Sequence, residues 1–544
     1  MKSFSLFERQ KNLLRIEDEI FDILIIGGGI TGAGVSRDAS MRGMKVCLLE
    51  QNDFASGTSS RSSKLIHGGI RYLENREFKL VFEALSERKI LFQIAPHLVH
   101  PLRFMIPIYK ESRVGFGIMG LGMWLYDALS MFDAPEMHER LNSLESKQRV
   151  NSLNQADLLG SYVYSDAYMD DDRLVLETLR SANEHGALCF NYVKANKKSK
   201  SNLISRNGEK LYEVEATDIL NNKNFSIKAK HIVSSLGPWT DQELPHFSND
   251  WKKILRPTKG IHLTFEKSRV PLEQAVVMGA EKRIVFAIPR HEMVIIGTTD
   301  TDFSGDPSSV FSTTEDIEYL LGVSQKYFPT LNLKREDIVA SYSGVRPLVD
   351  DSSSTEGKTS REHYIKTFDQ HLTVVAGGKY TTYRLMAEQI VDEVLKHRNF
   401  ETRAKYLHCP TKSALNPLIS EDFMEKVEAI KNEIKIKSGR LSEKELVWLS
   451  ERHGQEAVLM SSKYQNDFSY IQMEAMHAIH QTGCLSVADF YLRRAPLVLA
   501  RKDHGFSFLE EIKSVFKNEL SLSSAELQNQ VDTLNRIIKK EMSW

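Results

Sequence analysis

The residues best suited to chemistry by type and spacing are Gly27, Gly29 and Gly32, in Phe21-Asp-Ile-Leu-Ile-Ile-Gly-Gly-Gly-Ile-Thr-Gly32, with Glu50 at the end of Met44-Lys-Val-Cys-Leu-Leu-Glu. Their chemistry is the capture of a dinucleotide. Gly27 permits a tight turn, Gly29 has no side chain to hold a pyrophosphate off the backbone, and Gly32 lets a helix pack closely on a sheet. A helix opening at this turn aims free N–H groups and partial positive charge at the phosphates. Glu50 lies 18 residues beyond Gly32, where a carboxylate accepts hydrogen bonds from a ribose hydroxyl pair. Alone, a glycine motif is weak; the two apolar runs around it and the closing acid make this one specific. It fits NAD and FAD alike.

The elements that must hold these residues are legible in the same stretch: a buried strand, a glycine turn, a helix, and a second strand ending in the acid. Residues 1–20 read as a short polar helix leading into the first strand. Residues 77–95 have apolar positions at helical spacing and stop before Pro96. Strand-like runs such as Leu102–Ile108 and Ile261–Phe265 alternate with helices such as Asp172–His185, which suits a second domain interleaved with the first. The adjacent Asp170, Asp171 and Asp172 invite a metal reading. Capping of the helix that follows them is the plainer expectation.

The segment after the fingerprint, Thr58-Ser-Ser-Arg-Ser-Ser-Lys-Leu-Ile-His-Gly-Gly-Ile-Arg-Tyr-Leu73, sets small hydroxyls before a His-Gly-Gly turn. By composition it is either an ordinary exposed loop or one that wraps a long polar ligand. As a string it resembles the flavin-contacting loop of the FAD-dependent glycerol-3-phosphate dehydrogenases. Further strings follow that family's order and approximate spacing to about residue 390: Tyr168-Met-Asp-Asp-Asp-Arg-Leu-Val-Leu176, Ser235-Leu-Gly-Pro-Trp239, Lys259-Gly-Ile-His262, Ile296-Gly-Thr-Thr-Asp300, Tyr342-Ser-Gly-Val-Arg-Pro-Leu348 and Gly377-Gly-Lys-Tyr-Thr-Thr-Tyr-Arg384. Ser234-Ser-Leu-Gly departs from the Ala-Thr-Gly of many flavoproteins but keeps Gly237.

The resemblance implies an α/β fold: a Rossmann-like FAD-binding domain interleaved with an α+β substrate domain, plus a C-terminal all-helical domain. FAD segments are expected at about 20–95, 154–240 and 340–395, substrate segments at about 96–153 and 241–339, and the helical domain over 406–544. It implies flavin contacts at Gly27, Gly28, Gly29, Ile30, Thr31, Gly32 and Glu50. Others are expected from the loop residues Thr58, Ser59, Ser60, Ser63, Lys64, Leu65, His67, Gly68 and Gly69. The remainder are Val193, Gly237, Trp239, Gly378, Lys379, Thr381 and Thr382. In Leu372-Thr-Val-Val-Ala-Gly-Gly-Lys a second strand-to-glycine-to-helix passage would face the isoalloxazine and stabilise negative charge on the reduced ring.

The substrate site that the resemblance implies consists of Arg71, Tyr72, His262, Arg346, Lys379 and Thr381. Oxidising the secondary alcohol of glycerol 3-phosphate needs cations for the phosphate, a base for the hydroxyl proton, and flavin N5 for the hydride. Arginine suits phosphate because its planar fork makes paired charge-assisted hydrogen bonds. Arg346 is the expected main clamp, with Arg71 and Lys379 sharing the load. His262 is the expected base, since a neutral imidazole near its reference pKa of ~6.5 accepts a proton. His67 is its competitor. No metal is expected.

Bulk composition narrows the classes. The 544 residues suffice for two to four domains. With 71 basic against 72 acidic residues, bulk phosphate neutralisation is excluded, so no nucleic-acid partner is expected. Cys47, Cys189, Cys409 and Cys484 form no CxxC pair and read as reduced, mostly buried residues of an intracellular protein. The N-terminus has no signal-peptide pattern, and no window reaches the ~20 apolar residues of a membrane span. Val114–Tyr126 is apolar for thirteen residues after Arg103, Lys110 and Arg113. It reads either as a surface that dips into one leaflet or as a helix packed inside the protein. Cys409-Pro-Thr-Lys-Ser-Ala-Leu-Asn-Pro reads as a linker. The last helix should begin at a Ser523–Glu526 capping box, with Leu527, Val531, Leu534 and Ile538 on one face.

Three functions are carried forward. The first is a cytoplasmic dehydrogenase, peripherally associated with the membrane, that passes electrons from glycerol 3-phosphate to quinone; it acts alone or as a homodimer. The second is a soluble glycerol-3-phosphate or amino-acid oxidase releasing hydrogen peroxide. The third is a non-enzymatic flavin-bound scaffold.

Overall fold

The computed structural model describes residues 4–544 other than 75, 199–202, 205–209, 281–282, 351–362, 370, 399–404, 407, 409, 421 and 464–467. One half is built on a six-stranded sheet. The run Ile23–Ile26 is buried throughout, as is Val46–Leu49, and the two pair in parallel from Ile23↔Val46 to Ile26↔Leu49. Such unbroken apolar runs are what a parallel sheet covered on both faces demands. Leu188–Phe190 extends the sheet on one side; Ile232–Ser234, Leu372–Gly377 and the antiparallel His363–Phe368 extend it on the other. Helix Ile30–Met41 starts at Gly29 and packs on helices Asp171–Glu184 and Tyr383–Lys396.

A ten-stranded sheet forms the second half. Its long strands Leu255–Glu266 and Ile338–Val349 run antiparallel, which sets His262 opposite Tyr342 and Thr258 opposite Arg346. Met293–Gly297 flanks them and sets Gly297 opposite His262. The sheet also takes in Leu158–Met169 and Ile338–Val349, both inside the segments expected for the FAD unit. Their antiparallel partners, Val99–Tyr109 and Leu255–Glu266, lie in this same sheet, and pairing over eleven residues outweighs chain order. A five-stranded sheet built around Lys210–Asp218 packs its buried Tyr212, Val214 and Ala216 with the six-stranded sheet.

The C-terminal region among the described residues is helical from Phe423 onward. The last helix, Ser524–Glu541, opens at a Ser523/Glu526 capping box and buries Leu527, Val531, Leu534 and Ile538, as its sequence predicts. Buried ion pairs join this region to the rest: Arg180 to Glu456, Arg452 to Asp170, and Arg493 and Arg494 to Asp53. Cys47, Cys189 and Cys484 are buried and unpaired with one another, while Cys409 and part of the linker it opens lie outside the described residues.

One expectation needs correction, and one open alternative is decided. Asp170 makes no side-chain cap. It accepts hydrogen bonds from Arg290 (2.6 Å) and Arg452 (3.3 Å), and Asp171 pairs with Lys64 at 2.5 Å. Asp170 and Asp171 thus neutralise buried cations, because an unpaired charge at that depth is costly. Asp171 and Asp172 still accept from the N–H groups of Asp172 and Arg173 at 2.9 and 2.7 Å in the first turn. The glycine-rich run is not packed inside. Helix Phe116–Leu129 buries Met123, Tyr126 and Asp127 but leaves Ile118 71%, Leu121 73% and Trp124 60% exposed. The basic residues before it form no free collar: Arg113 pairs with Glu74, Lys110 with Asp157, and Arg103 with Glu139. Among the described residues no helix is long and apolar enough to cross a membrane.

Candidate active site

A cavity of about 330 Å³ runs from the carboxyl ends of the parallel strands into the face of the ten-stranded sheet. Its nucleotide end is built by local chain geometry. Gly27 holds a positive φ of 110°, and a Cβ there would lie 2.5 Å from the Ser235 carbonyl oxygen. Gly32 lies under the turn; a Cβ there would stand 2.0 Å from the Gly27 carbonyl oxygen. Ser59 Oγ accepts from the Ile30 N–H at 2.9 Å, docking the hydroxyl loop on the helix start. Glu50 accepts from Gly28 N–H and Asn52 N–H, both at 2.8 Å, which aims the carboxylate along the wall. Burial raises the Glu50 pKa, and these two bonds oppose the rise.

The donor set suits FAD. Gly27, Gly29, Ile30 and Thr31 line the wall, Glu50 with Gln51 and Asn52 closes one end, and Gly377 and Gly378 lie toward the other. A Cβ at Gly57 would meet the Trp239 ring at 2.9 Å, so the hydroxyl loop and the Gly237–Trp239 turn close on each other only because Gly57 is bare. The cradle is long, glycine-walled and rich in backbone donors, the chemistry a pyrophosphate-linked flavin requires.

The end of the cavity expected to hold the substrate is assembled from distant segments. His262 is buried, stacks on Tyr342 (centroids 4.7 Å apart, planes 11°) and shares a 2.8 Å hydrogen bond through Nε2 with Ser63 Oγ. Burial, then the charges of Arg346 and Lys64, hold its pKa well below the usual imidazole value, so the ring is neutral. Arg346 donates to Thr298 Oγ1 at 2.9 Å and pairs with Asp300 at 3.1 Å. Its guanidinium occupies the space over Gly260, where a Cβ would lie 2.3 Å away. Lys379 Nζ lies over the Tyr72 ring, 3.6 Å from its centroid.

Of the expected residues, the cavity brings together Gly27, Gly29, Ile30, Thr31, Glu50, Thr58, Ser59, Ser63, Leu65, His67, Tyr72, Val193, Gly237, Trp239, His262, Arg346, Gly378 and Lys379. It does not include Gly28, Gly32, Ser60, Lys64, Gly68, Gly69, Arg71, Thr381 or Thr382 in its wall. Several of these support the wall from behind. Gly28 holds Glu50, Lys64 pairs with Asp171, and Thr381 Oγ1 donates to the His67 carbonyl and accepts from its N–H.

Sequence reasoning passed over Arg61, Gly260 and Gly344. The signal was present as paired glycines: Gly260 and Gly344 face each other across the two long strands. A Cβ on Gly344 would come within 2.6 Å of Arg61 Cβ, as one on Gly260 would meet Arg346. Only the strand register shows that these glycines clear room for two cations. A separate buried group, His453, Glu456 and His477, has ligand-type atoms within 4.8 Å of one another, but Arg180 and Asn416 already occupy Glu456.

A family model described as FAD dependent oxidoreductase matches residues 22–391. The aerobic glycerol-3-phosphate dehydrogenase of Staphylococcus saprophyticus is 33% identical over 540 residues, covering 96% of this chain and 95% of that protein. The Bacillus subtilis protein of the same name is 37% identical over 509 residues, covering 90% of each. Among solved structures, a glycerol-3-phosphate dehydrogenase from Bacillus halodurans complexed with FAD matches with a TM-score of 0.79 at 28% identity, covering 99% of this chain and 98% of that one.

Proposed function

The chain belongs to the FAD-dependent oxidoreductases and, within them, to the aerobic glycerol-3-phosphate dehydrogenases. On that premise we propose that Arg346 and His262 hold the substrate and that its electrons leave to a membrane quinone. The protein oxidises sn-glycerol 3-phosphate to dihydroxyacetone phosphate and uses FAD. Membership of an enzyme family sets the scaffold reading aside. The observation that carries the proposed roles is the meeting, in one cavity, of a neutral buried histidine, an arginine and a lysine below a dinucleotide cradle.

When bound, FAD supplies the acceptor for the hydride. The residues of this chain do the rest. Arg346 exchanges its contacts with Asp300 and Thr298 for the phosphate oxygens, a trade its fork geometry favours because a dianion outbids one carboxylate. Lys379 adds charge from the glycine turn. His262 Nε2 accepts the hydroxyl proton once the substrate hydroxyl takes the place of Ser63 Oγ, which holds that nitrogen and orients the ring beforehand. Tyr342, stacked on the ring, fixes its plane. Anaerobic addition of glycerol 3-phosphate should bleach the flavin; a spectrum that stays oxidised rejects the assignment.

Transfer to quinone requires access to the bilayer. The exposed face of helix Phe116–Leu129, with Ile118, Leu121 and Trp124, is the proposed contact, and Phe78 and Phe82 of the helix packed on it are also exposed. Because the neighbouring cations are paired with carboxylates, apolar insertion and not headgroup charge should dominate. Co-sedimentation with vesicles should survive high salt and weaken in Leu121→Asp with Trp124→Asp. Protein that stays in the supernatant and releases stoichiometric peroxide would identify an oxidase.

A further inference from the structure

The C-terminal helical region has no cofactor motif, yet its last turn reaches the substrate end of the cavity. Glu541, at the end of helix Ser524–Glu541, pairs with Arg61 at 2.5 Å, with the side chains 15% and 23% exposed. Arg61 lines the cavity. Ser341 Oγ donates to the Glu541 carbonyl, and Trp544 Nε1 donates to Ser341 Oγ at 2.9 Å. Lys540 Nζ donates to the Ser308 carbonyl at 3.1 Å, and Ser308 Oγ accepts from Trp239 of the flavin wall. Trp544 also packs against the core beneath the ten-stranded sheet. Four groups from residues 540–544 thus hold three separate points, Arg61, Ser341 and Ser308, at or behind the wall of one cavity.

Two of those points carry the chemistry. Arg61 lies two residues before Ser63, which holds His262 Nε2. Ser341 precedes Tyr342, the residue stacked on His262, and lies five residues before Arg346. Loop and strand are also tied to each other: Thr58 Oγ1 donates to the Val345 carbonyl at 2.7 Å and Tyr342 OH donates to the Ser62 carbonyl at 2.9 Å. Arg61 presses on Gly344 with no room for a methyl group between them. The tail therefore clamps loop and strand from outside at the place where they touch.

We propose that residues Glu541–Trp544 form a latch that sets the distance between the base His262 and the phosphate clamp Arg346, and that Glu541 keeps Arg61 from acting as a competing anion site. Glu541 and Trp544 are positioning residues: neither lines the cavity. The inference rests on the proposed roles of His262 and Arg346. A neutralised Glu541 leaves Arg61 a full positive charge on the cavity wall, beside a phosphate site meant for Arg346 and Lys379. The phosphate is then bound as well or better but in the wrong register, and a small misplacement of a reacting group is costly to turnover.

The test uses the full-length, FAD-loaded protein and the variants Glu541→Gln, Glu541→Asp, Trp544→Phe and the exchange Arg61→Glu with Glu541→Arg. For Glu541→Gln, kcat should fall by about tenfold to a hundredfold while KM stays or drops. Inorganic phosphate should bind more tightly by calorimetry, and bound FAD per chain should equal wild type. Glu541→Asp should recover most of the turnover, the charge exchange part of it, and Trp544→Phe should give a smaller loss in the same direction. Wild-type kcat in both Glu541→Gln and Trp544→Phe overturns the latch. So does a loss of turnover matched by loss of flavin and of Tm, which marks a merely structural contact. If Glu541→Gln does not fold, Trp544→Phe decides alone. Failure of the underlying reading looks different: wild-type protein would bind phosphate without its flavin being bleached by glycerol 3-phosphate.

Discussion

The two ends of the cavity are made in different ways. The nucleotide end is built mostly by residues near one another in sequence, Gly27 to Thr31, then Glu50 to Asn52, then Gly57 to Ser59, with Val193 and Ser235–Trp239 joining from farther along the chain. Its bonds span short distances along the chain, such as Gly28 N–H to Glu50 and Ile30 N–H to Ser59. The substrate end joins Ser63, His262, Arg346 and Lys379, brought together by the register of the long antiparallel strands and by loops that cross between the sheets. Local geometry is rigid because each element positions the next. Geometry from distant segments needs outside support, and here it comes from Tyr342, Thr58 and the C-terminal tail.

The largest effect should come from the nucleotide end. Gly32→Val places a side chain where even a Cβ would be 2.0 Å from the Gly27 carbonyl, so the helix cannot approach the sheet and purified protein should carry no flavin by absorbance. A yellow, stoichiometrically loaded variant would mean that this end tolerates slack and is no more rigid than the other.

At the substrate end, loss of one group should leave the cofactor in place. His262→Ala should slow flavin reduction by about 10²- to 10⁴-fold in stopped flow, with flavin content unchanged and inorganic phosphate binding nearly intact. The pKa of His262 is pushed down, so the neutral base persists below the reference imidazole value of ~6.5. The acid limb of kcat/KM should therefore lie below that pH. A limb above neutrality would point to His67 or another group.

Arg346→Ala should lower kcat/KM for glycerol 3-phosphate by on the order of 10²-fold or more, and scarcely affect the slow oxidation of glycerol. Gly260→Ala sharpens the point, since a Cβ there pushes into the guanidinium 2.3 Å away. It should reproduce the Arg346→Ala pattern with flavin retained. Equal losses on both substrates would show that Arg346 acts on something other than phosphate.

The smallest effect concerns stability in acid. Asp53 lies three residues after Glu50, at the nucleotide end, and is held by Arg494 and Arg493 of the C-terminal region. Burial alone would raise its pKa; the two guanidiniums bring it down to about 2. A carboxylate depressed in the folded state adds stability above its unfolded pKa of ~3.9, and that share is lost as pH falls toward 2. Tm measured between pH 5 and pH 2 should drop less steeply in Asp53→Asn, which starts lower. Parallel curves for the two proteins would remove this pair from the acid response.

The chain's local strings determined the nucleotide site. Glycine spacing, apolar runs and the closing acid are contiguous, and the physics of a strand–turn–helix acts over a few residues, so the turn that brings Gly27, Gly29 and Glu50 to one cavity could be read directly. The Ser523 capping box and its buried face were legible for the same reason. Tertiary structure decided what depends on register and depth. Nothing local shows that Gly260 and Gly344 face each other to make room for Arg346 and Arg61. That the Lys64 side chain pairs with Asp171 was not legible in its loop; depth decided it, because a buried ammonium must find a carboxylate. The same rule turned Asp170 from a helix cap into a partner for Arg290 and Arg452. Exposure of Leu121 and Trp124, and the reach of Glu541 back to Arg61, are likewise products of packing: hydropathy is written in the chain, but which face stays uncovered is set by what the rest of the chain has left room to bury.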